Sequence, residues 1–112
     1  MIDAIERNDL SATLDFYETF VTLKMHQANL DDKNYGFLGL AGETGEVIDL
    51  WKKVYHGKPM NYDKLKEEMG DVLFYFFLVL MQNNLTFEDV LEGNVDKLNK
   101  RYPEGADNGR ED

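Results

Sequence analysis

The chain contains no cysteine, which removes disulfide staples, thiolate metal sites and cysteine nucleophiles. Histidine is almost as scarce. With two residues of that type, a bound metal would be held mainly by oxygen, which favours Mg²⁺ or Mn²⁺ over Zn²⁺. Basic residues are also few, 12 against 22 acidic ones, for a net charge of −10. A general nucleic-acid binder needs a basic stripe along the phosphate backbone, so this balance argues against that class. A small phosphorylated ligand remains compatible, because a bound cation can bridge two anions. Long hydrophobic runs are missing as well: the longest, Val72 to Met81, is far too short to span a bilayer. Met1-Ile2-Asp3-Ala4-Ile5-Glu6 has neither the basic nor the long apolar part of a signal peptide. A soluble, cytoplasmic protein with no membrane partner is expected.

What is present reads as helix. Hydrophobic residues make up 43% of the 112 residues, enough for one modest core. Leu10, Leu14, Tyr17, Val21 and Met25 keep a helical period, predicting a first helix from about Ser11 to Ala28. Asp31-Asp32-Lys33-Asn34 is a polar break. A second helix follows from about Tyr35, with Phe37, Leu40, Val47, Leu50, Trp51 and Val54 as its apolar surface and Trp51 expected in the core. Gly57-Lys58-Pro59 ends it. Asn61 can cap a third helix that runs to about Met81, and Asn83-Asn84 closes it. Thr86-Phe87-Glu88-Asp89 has the form of a capping box for a fourth helix, which lasts to about Arg101 and stops at Pro103. The expected architecture is an all-α, four-helix bundle-like protomer formed by residues 1–103, with 104–112 as a polar tail. No repeat or low-complexity segment is present.

Leu73 to Met81 is apolar on every side, as in a helix buried all round. A domain of four helices seldom supplies enough neighbours for that. Burial against another subunit, and so a homo-oligomer, is inferred.

Two carboxylate pairs interrupt these helices, Glu43-Thr44-Gly45-Glu46 and Glu68-Met69-Gly70-Asp71. The i,i+3 spacing puts both members of each pair on one helix face. If the two helices are antiparallel, four carboxylates can converge, and a hard divalent cation is the simplest relief of their repulsion. A solvated face would more often place Lys four residues after the Glu; here Val47 follows Glu43 and Leu50 follows Glu46. Gly36, Gly39, Gly42 and Gly45 recur every third residue, and a mid-helix Gly costs roughly 1 kcal/mol relative to Ala. Either a backbone or ligand approaches this row closely, or the helix starts near Leu40 and the first two glycines belong to a loop.

Gly42-Glu43-Thr44-Gly45-Glu46-Val47, then Lys52-Lys53, then Glu67-Glu68-Met69-Gly70-Asp71-Val72-Leu73-Phe74-Tyr75, resembles the MazG-like all-α nucleoside triphosphate pyrophosphohydrolases. Asn94-Val95-Asp96-Lys97-Leu98-Asn99-Lys100-Arg101-Tyr102-Pro103 is similar to that family's C-terminal segment. The resemblance covers about Phe37 to Pro103. It implies an oligomeric, Mg²⁺-dependent hydrolase (Mn²⁺ can substitute) that converts a nucleoside triphosphate to monophosphate and pyrophosphate, in nucleotide-pool control. It also implies Glu43, Glu46, Glu68 and Asp71 as metal ligands. Metal-bound water would attack phosphorus, and Glu43 is the expected proton acceptor.

The same resemblance favours phosphate contacts for Lys97 and Arg101 on a stripe with Asn94; without it, both are helix-end partners of the dipole. Lys53 could reach a phosphate or serve that dipole role. Tyr102 could stack on a base or pack in the core. His26 and Gln27 fall where some relatives contact the base, although a surface histidine is the plainer reading of His26. His56 suits a helix end.

Three rivals remain. A phosphoribosyl-ATP pyrophosphohydrolase has a similar core, but usually shows Ala before the Asp and a Tyr-His pair after it; here Gly70 precedes Asp71 and Phe76 follows Tyr75. A di-iron bundle wants Glu-x-x-His pairs, which neither His26 nor His56 supplies. A non-catalytic oligomerisation or regulatory module would leave the acidic pairs as a solvated face.

Overall fold

Among the described residues of the computed structural model, four of the five helices begin at a side chain that caps them. The structure describes residues 9–25 and 27–105; the expectations for Met1–Glu6, His26 and residues 106–112 lie outside it. Helix α1 (Leu10–Lys24) starts where the Asp9 carboxylate accepts from the Ala12 N–H. A short α2 (Gln27–Asp31) follows. Helix α3 (Lys33–Tyr55) is capped by Asp32, which accepts from Asn34 N–H at 3.0 Å. Helix α4 (Tyr62–Gln82) is capped by Asn61, which accepts from Lys64 N–H at 3.1 Å. Thr86 and Asp89 form the expected reciprocal box at the start of α5 (Phe87–Arg101). Each such cap satisfies a backbone donor that the first turn leaves unpaired. Gly57, at φ +101°, turns the chain out of α3, and Asn84 at φ +55° does the same after α4; both residue types tolerate the left-handed region. No strand occurs among the described residues, so the all-α expectation holds. None of these helices is long and apolar enough to cross a membrane.

The α3–α4 pair is the centre of the molecule, and its register is antiparallel. Gly36 lies against Val79 and Gln82, Gly39 against the Tyr75 ring, Glu43 near Asp71 and Glu68, and Lys53 shares a cleft with Lys64. Positions ascending along α3 thus meet positions descending along α4. A Cβ at Gly36 would collide with Gln82 Oε1, and one at Gly39 with the Tyr75 ring. Both glycines are therefore helical and needed for the close approach, which settles the loop alternative against it. At Gly42 and Gly45 a Cβ would have no neighbour within 4 Å.

The core forms where α1 crosses α4. Val21, Phe77 and Leu78 are buried, with Leu14, Tyr17, Met25, Phe74 and Phe87 packed around them. Tyr17 meets Phe77 edge-on at 5.2 Å, and Phe87 stacks on Phe77 at 5.7 Å, geometries that aromatic quadrupoles favour. Phe87 thereby anchors the start of α5, whose Leu91, Val95 and Leu98 stay exposed.

Two expectations are corrected. The first helix ends at Lys24 rather than Ala28, because Met25 is extended and α2 is a separate turn. A long-range clamp holds α2 where it lies: the Gln82 Nε2 amide hydrogens are shared among the carbonyls of Asn29 (2.8 Å), Leu30 (3.1 Å) and Asp32 (3.0 Å), tying α2 to the end of α4. Trp51 is not core; it is 56% exposed. Within one chain Leu73 of the apolar run is exposed while Phe77, Leu78 and Leu80 are buried, which leaves the expected burial against a second subunit as an expectation.

The two halves of the glycine row should respond oppositely to alanine. Gly39→Ala forces the Tyr75 ring aside and should destabilise by roughly 1–3 kcal/mol. Gly42→Ala meets no neighbour and should stabilise by about 0.5–1 kcal/mol. Urea denaturation at fixed protein concentration separates them; a destabilising Gly42→Ala would mean that another molecule packs on that surface.

Candidate metal centre

The antiparallel register carries the two carboxylate pairs to the same height on facing helices. One oxygen each from Glu43, Glu68 and Asp71 lies within 4.8 Å of the others. Glu43 comes from α3, while Glu68 and Asp71 come from one turn of α4. Glu68 is buried, Glu43 half-buried and Asp71 exposed, so the group opens to solvent on one side. Glu46, one turn further along α3, stands outside that triangle. It borders an adjoining cleft with Asp49, Leu50, Lys53, Lys64 and Glu68.

The electrostatics show the strain of this convergence. Glu43 holds its proton more tightly than an ordinary glutamate, first because of desolvation and then because of the charges of Asp71, Glu68 and Glu46. Burial, then Asp71, raises the Tyr17 hydroxyl. Tyr75 is pushed up to about 12 by its hydrogen bond with Tyr35, by burial, and by the charges of Tyr35, Glu43 and Asp71. Tyr17 and Tyr75, from α1 and α4, thus both feel the negative cluster, and the Tyr35 ring packs on Tyr75 at 5.9 Å.

Cations sit at one flank. Lys64 Nζ is 3.1 Å from Glu68 and 3.7 Å from Glu67. Its contact with Glu68 is the leading cause of an upward shift of the Lys64 ammonium. Lys53 lies 4.0 Å from Asp49 on the same helix face. It borders the cleft and also occupies the last turn of α3, so both roles expected for it are compatible with its position. Asn94, Lys97 and Arg101 are exposed on α5, and Tyr102 is its C-cap, donating its N–H to Leu98 O at 2.7 Å. None of these four lines the cleft. His56 caps the C-terminus of α3 as expected, and His26 lies outside the described residues.

The donor set fits a hard divalent cation: three carboxylates at bridging separation, with no thiolate in the chain and no histidine in the group. Such a set neutralises its own repulsion by binding charge. Lys64 and the tyrosines are neighbours of the cluster that the carboxylate motifs do not mark. Lys64 is legible in the sequence as an i,i+4 partner preceding Glu68, on the opposite side from the positions after each glutamate where a lysine was sought. Tyr75 is legible one turn after Asp71.

The family model described as the MazG nucleotide pyrophosphohydrolase domain matches residues 35–106, which takes in nearly all of α3 and the whole of α4 and α5. The Gene 37 protein of Mycobacterium phage L5 is 30% identical over 89 residues, covering 75% of this chain and 78% of that protein. No solved structure gives a significant match.

The repulsion has a testable sign. Because the folded chain holds the Glu43 proton more tightly than the unfolded chain does, the penalty is absent at pH below the ordinary glutamate value. It is fully present once pH exceeds the raised one. In chelator, Glu43→Gln should therefore raise the melting temperature at neutral pH, and its advantage over wild type should shrink as pH falls through that window. Melting curves across pH check this; an advantage independent of pH would contradict the repulsion.

Proposed function

The chain belongs to the MazG nucleotide pyrophosphohydrolase family, and from that premise we propose that it hydrolyses nucleoside triphosphates, deoxynucleotides included, to monophosphate and pyrophosphate with Mg²⁺. The observation that carries this reading is the convergence of Glu43, Glu68 and Asp71 from two helices, with Glu46 as a fourth ligand from the adjoining turn. Bound Mg²⁺ (or Mn²⁺) supplies neutralisation of the triphosphate oxygens and acidification of the attacking water. Glu43 accepts the proton of that water as its oxygen bonds to phosphorus; the raised proton affinity of this carboxylate suits a base. The breaking bond leaves its electron pair on pyrophosphate. Lys53 at the cleft, with Lys97 and Arg101 when α5 approaches it, balances that charge. Asn94, Tyr102 and His26 complete the substrate contacts in this reading. No covalent nucleophile is needed.

A homo-oligomer is part of the same proposal. Ile48, Trp51 and Tyr55 on α3 are exposed, as are Met69 and Leu73 on α4. Exposed apolar area of this kind marks an interaction surface. A cytoplasmic role in controlling the nucleotide pool follows from the activity.

The deciding experiment is pyrophosphate release from canonical and modified (d)NTPs, with phosphoribosyl-ATP in the panel, with and without Mg²⁺. Release from an NTP or dNTP only when Mg²⁺ is present supports the reading; turnover confined to phosphoribosyl-ATP, or none, rejects it. Glu46→Gln and Asp71→Asn should each lower kcat by more than the roughly 10–100-fold typical of groups one shell outside a metal, with unchanged helical circular dichroism. Wild-type rates in either variant would refute the ligand assignment. Lys97→Ala and Arg101→Ala should raise KM; unchanged KM in both removes α5 from the substrate site.

A further inference from the structure

Glu68 is the buried charged residue of the described core, at 7% exposure, and a carboxylate so placed needs a compensating cation. Lys64 is that cation. It reaches Glu68 from one turn earlier on α4, at 3.1 Å, with 48% of its own side chain exposed and 9% of the glutamate's. The ammonium therefore covers Glu68 from the solvent side, along the cleft that Glu46, Asp49 and Lys53 also border. Glu67 lies 3.7 Å from the same Nζ and is 68% exposed, an alternative partner on the surface that Lys64 can take without leaving its helix.

We propose that Lys64 is the resident counter-ion of Glu68 and competes with a divalent cation for that carboxylate, so that it sets the metal affinity of the cluster. The inference rests on the metal-site reading above. Lysine is a compact point charge on a flexible stem, without the planar fork by which arginine fixes a carboxylate's orientation. Its effect on Glu68 is thus mainly electrostatic, and two cations sharing one carboxylate repel each other. With Glu67 within reach, Lys64 yields Glu68 at little conformational cost, which keeps the site stable without metal while lowering its affinity for it.

The test is Mn²⁺ titration calorimetry on the full chain, freed of metal by chelator and dialysis, for wild type, Lys64→Met, Lys64→Gln, Lys64→Arg and Lys66→Met. Both neutral Lys64 variants should bind Mn²⁺ on the order of 5–10-fold more tightly than wild type. They should also melt lower without metal and gain more on its addition. Lys64→Arg keeps the charge and should stay within about twofold of wild type. Lys66→Met removes a lysine charge from the same helix without touching Glu68 and should also stay within about twofold. Unchanged or weaker Mn²⁺ binding in Lys64→Met and Lys64→Gln, with wild-type circular dichroism, overturns the proposal. So does an equal gain in Lys66→Met, since the effect would then be general charge. Absence of saturable Mn²⁺ binding in wild type would instead overturn the metal-site reading itself.

Discussion

The approach of α3 to α4 at Gly36 and Gly39 governs what the rest of the chain can do. Two helices whose facing positions carry no side chain can lie closer than the usual 8–10 Å, and here Gln82 and the Tyr75 ring occupy the space the glycines leave. That contact fixes the register. Once Gly39 faces Tyr75, the next turns of the two helices bring Glu43 opposite Asp71 and Glu68, with no further choice available. Each helical glycine is locally unfavourable, and the tertiary packing it permits offsets the penalty. Register and site assembly are thus linked: a slip by one turn would separate Glu43 from Glu68 and Asp71.

The cluster stands at the edge of the core rather than within it. Val21, Phe77 and Leu78 lie toward the far end of α4, where α1 and the start of α5 pack, while Glu43, Glu68 and Asp71 occupy the half of the hairpin with fewer neighbours. This division lets apolar burial hold the like charges together. Desolvation and mutual repulsion both raise the proton affinity of Glu43, so the metal-free site stores unfavourable electrostatic energy against the stability of the aromatic core. A structure that opposes its own charges in this way is primed for a ligand of opposite sign. The Tyr17 and Tyr75 hydroxyls register the same cluster, since the charge of Asp71 contributes to the upward shift of both.

Local chemistry was readable from sequence and distant chemistry was not. Asn61, the Thr86–Asp89 box and Gly57 each act on their own few residues, and each is found in the role its type suggests. The carboxylate spacing placed each pair on one face, and the meeting of Glu43 with Glu68 and Asp71 needed only an antiparallel pair. The separate α2 escaped because what holds it, the Gln82 amide, lies 50 to 53 residues away in sequence. Trp51 escaped for another reason: an apolar stripe looks the same whether the chain's own core or a second molecule covers it. The glycine row was ambiguous until the helix start was known, since Gly36 and Gly39 would serve equally in a loop.

Charge distribution reconciles the acidic composition with the anionic substrate proposed above. At −10 overall, the chain repels a triphosphate at long range, and screening confines that repulsion to about 8 Å from the surface at physiological salt. Within that distance local charge decides. Lys52, Lys53, Lys58, Lys64 and Lys66, five of the 12 basic residues, fall on the turn joining α3 to α4 and on the helix ends beside it. Lys52 and Lys53 also complement the negative end of the α3 dipole. The hairpin therefore presents a basic end next to an acidic middle, and the cleft of Glu46, Asp49, Lys53, Lys64 and Glu68 spans the boundary. A ligand that carries both charges, a polyphosphate with its divalent cation, matches that boundary; either partner alone would meet a surface half repulsive to it. On the proposed reading, metal and phosphates would be held through the same few side chains, which would couple the two affinities.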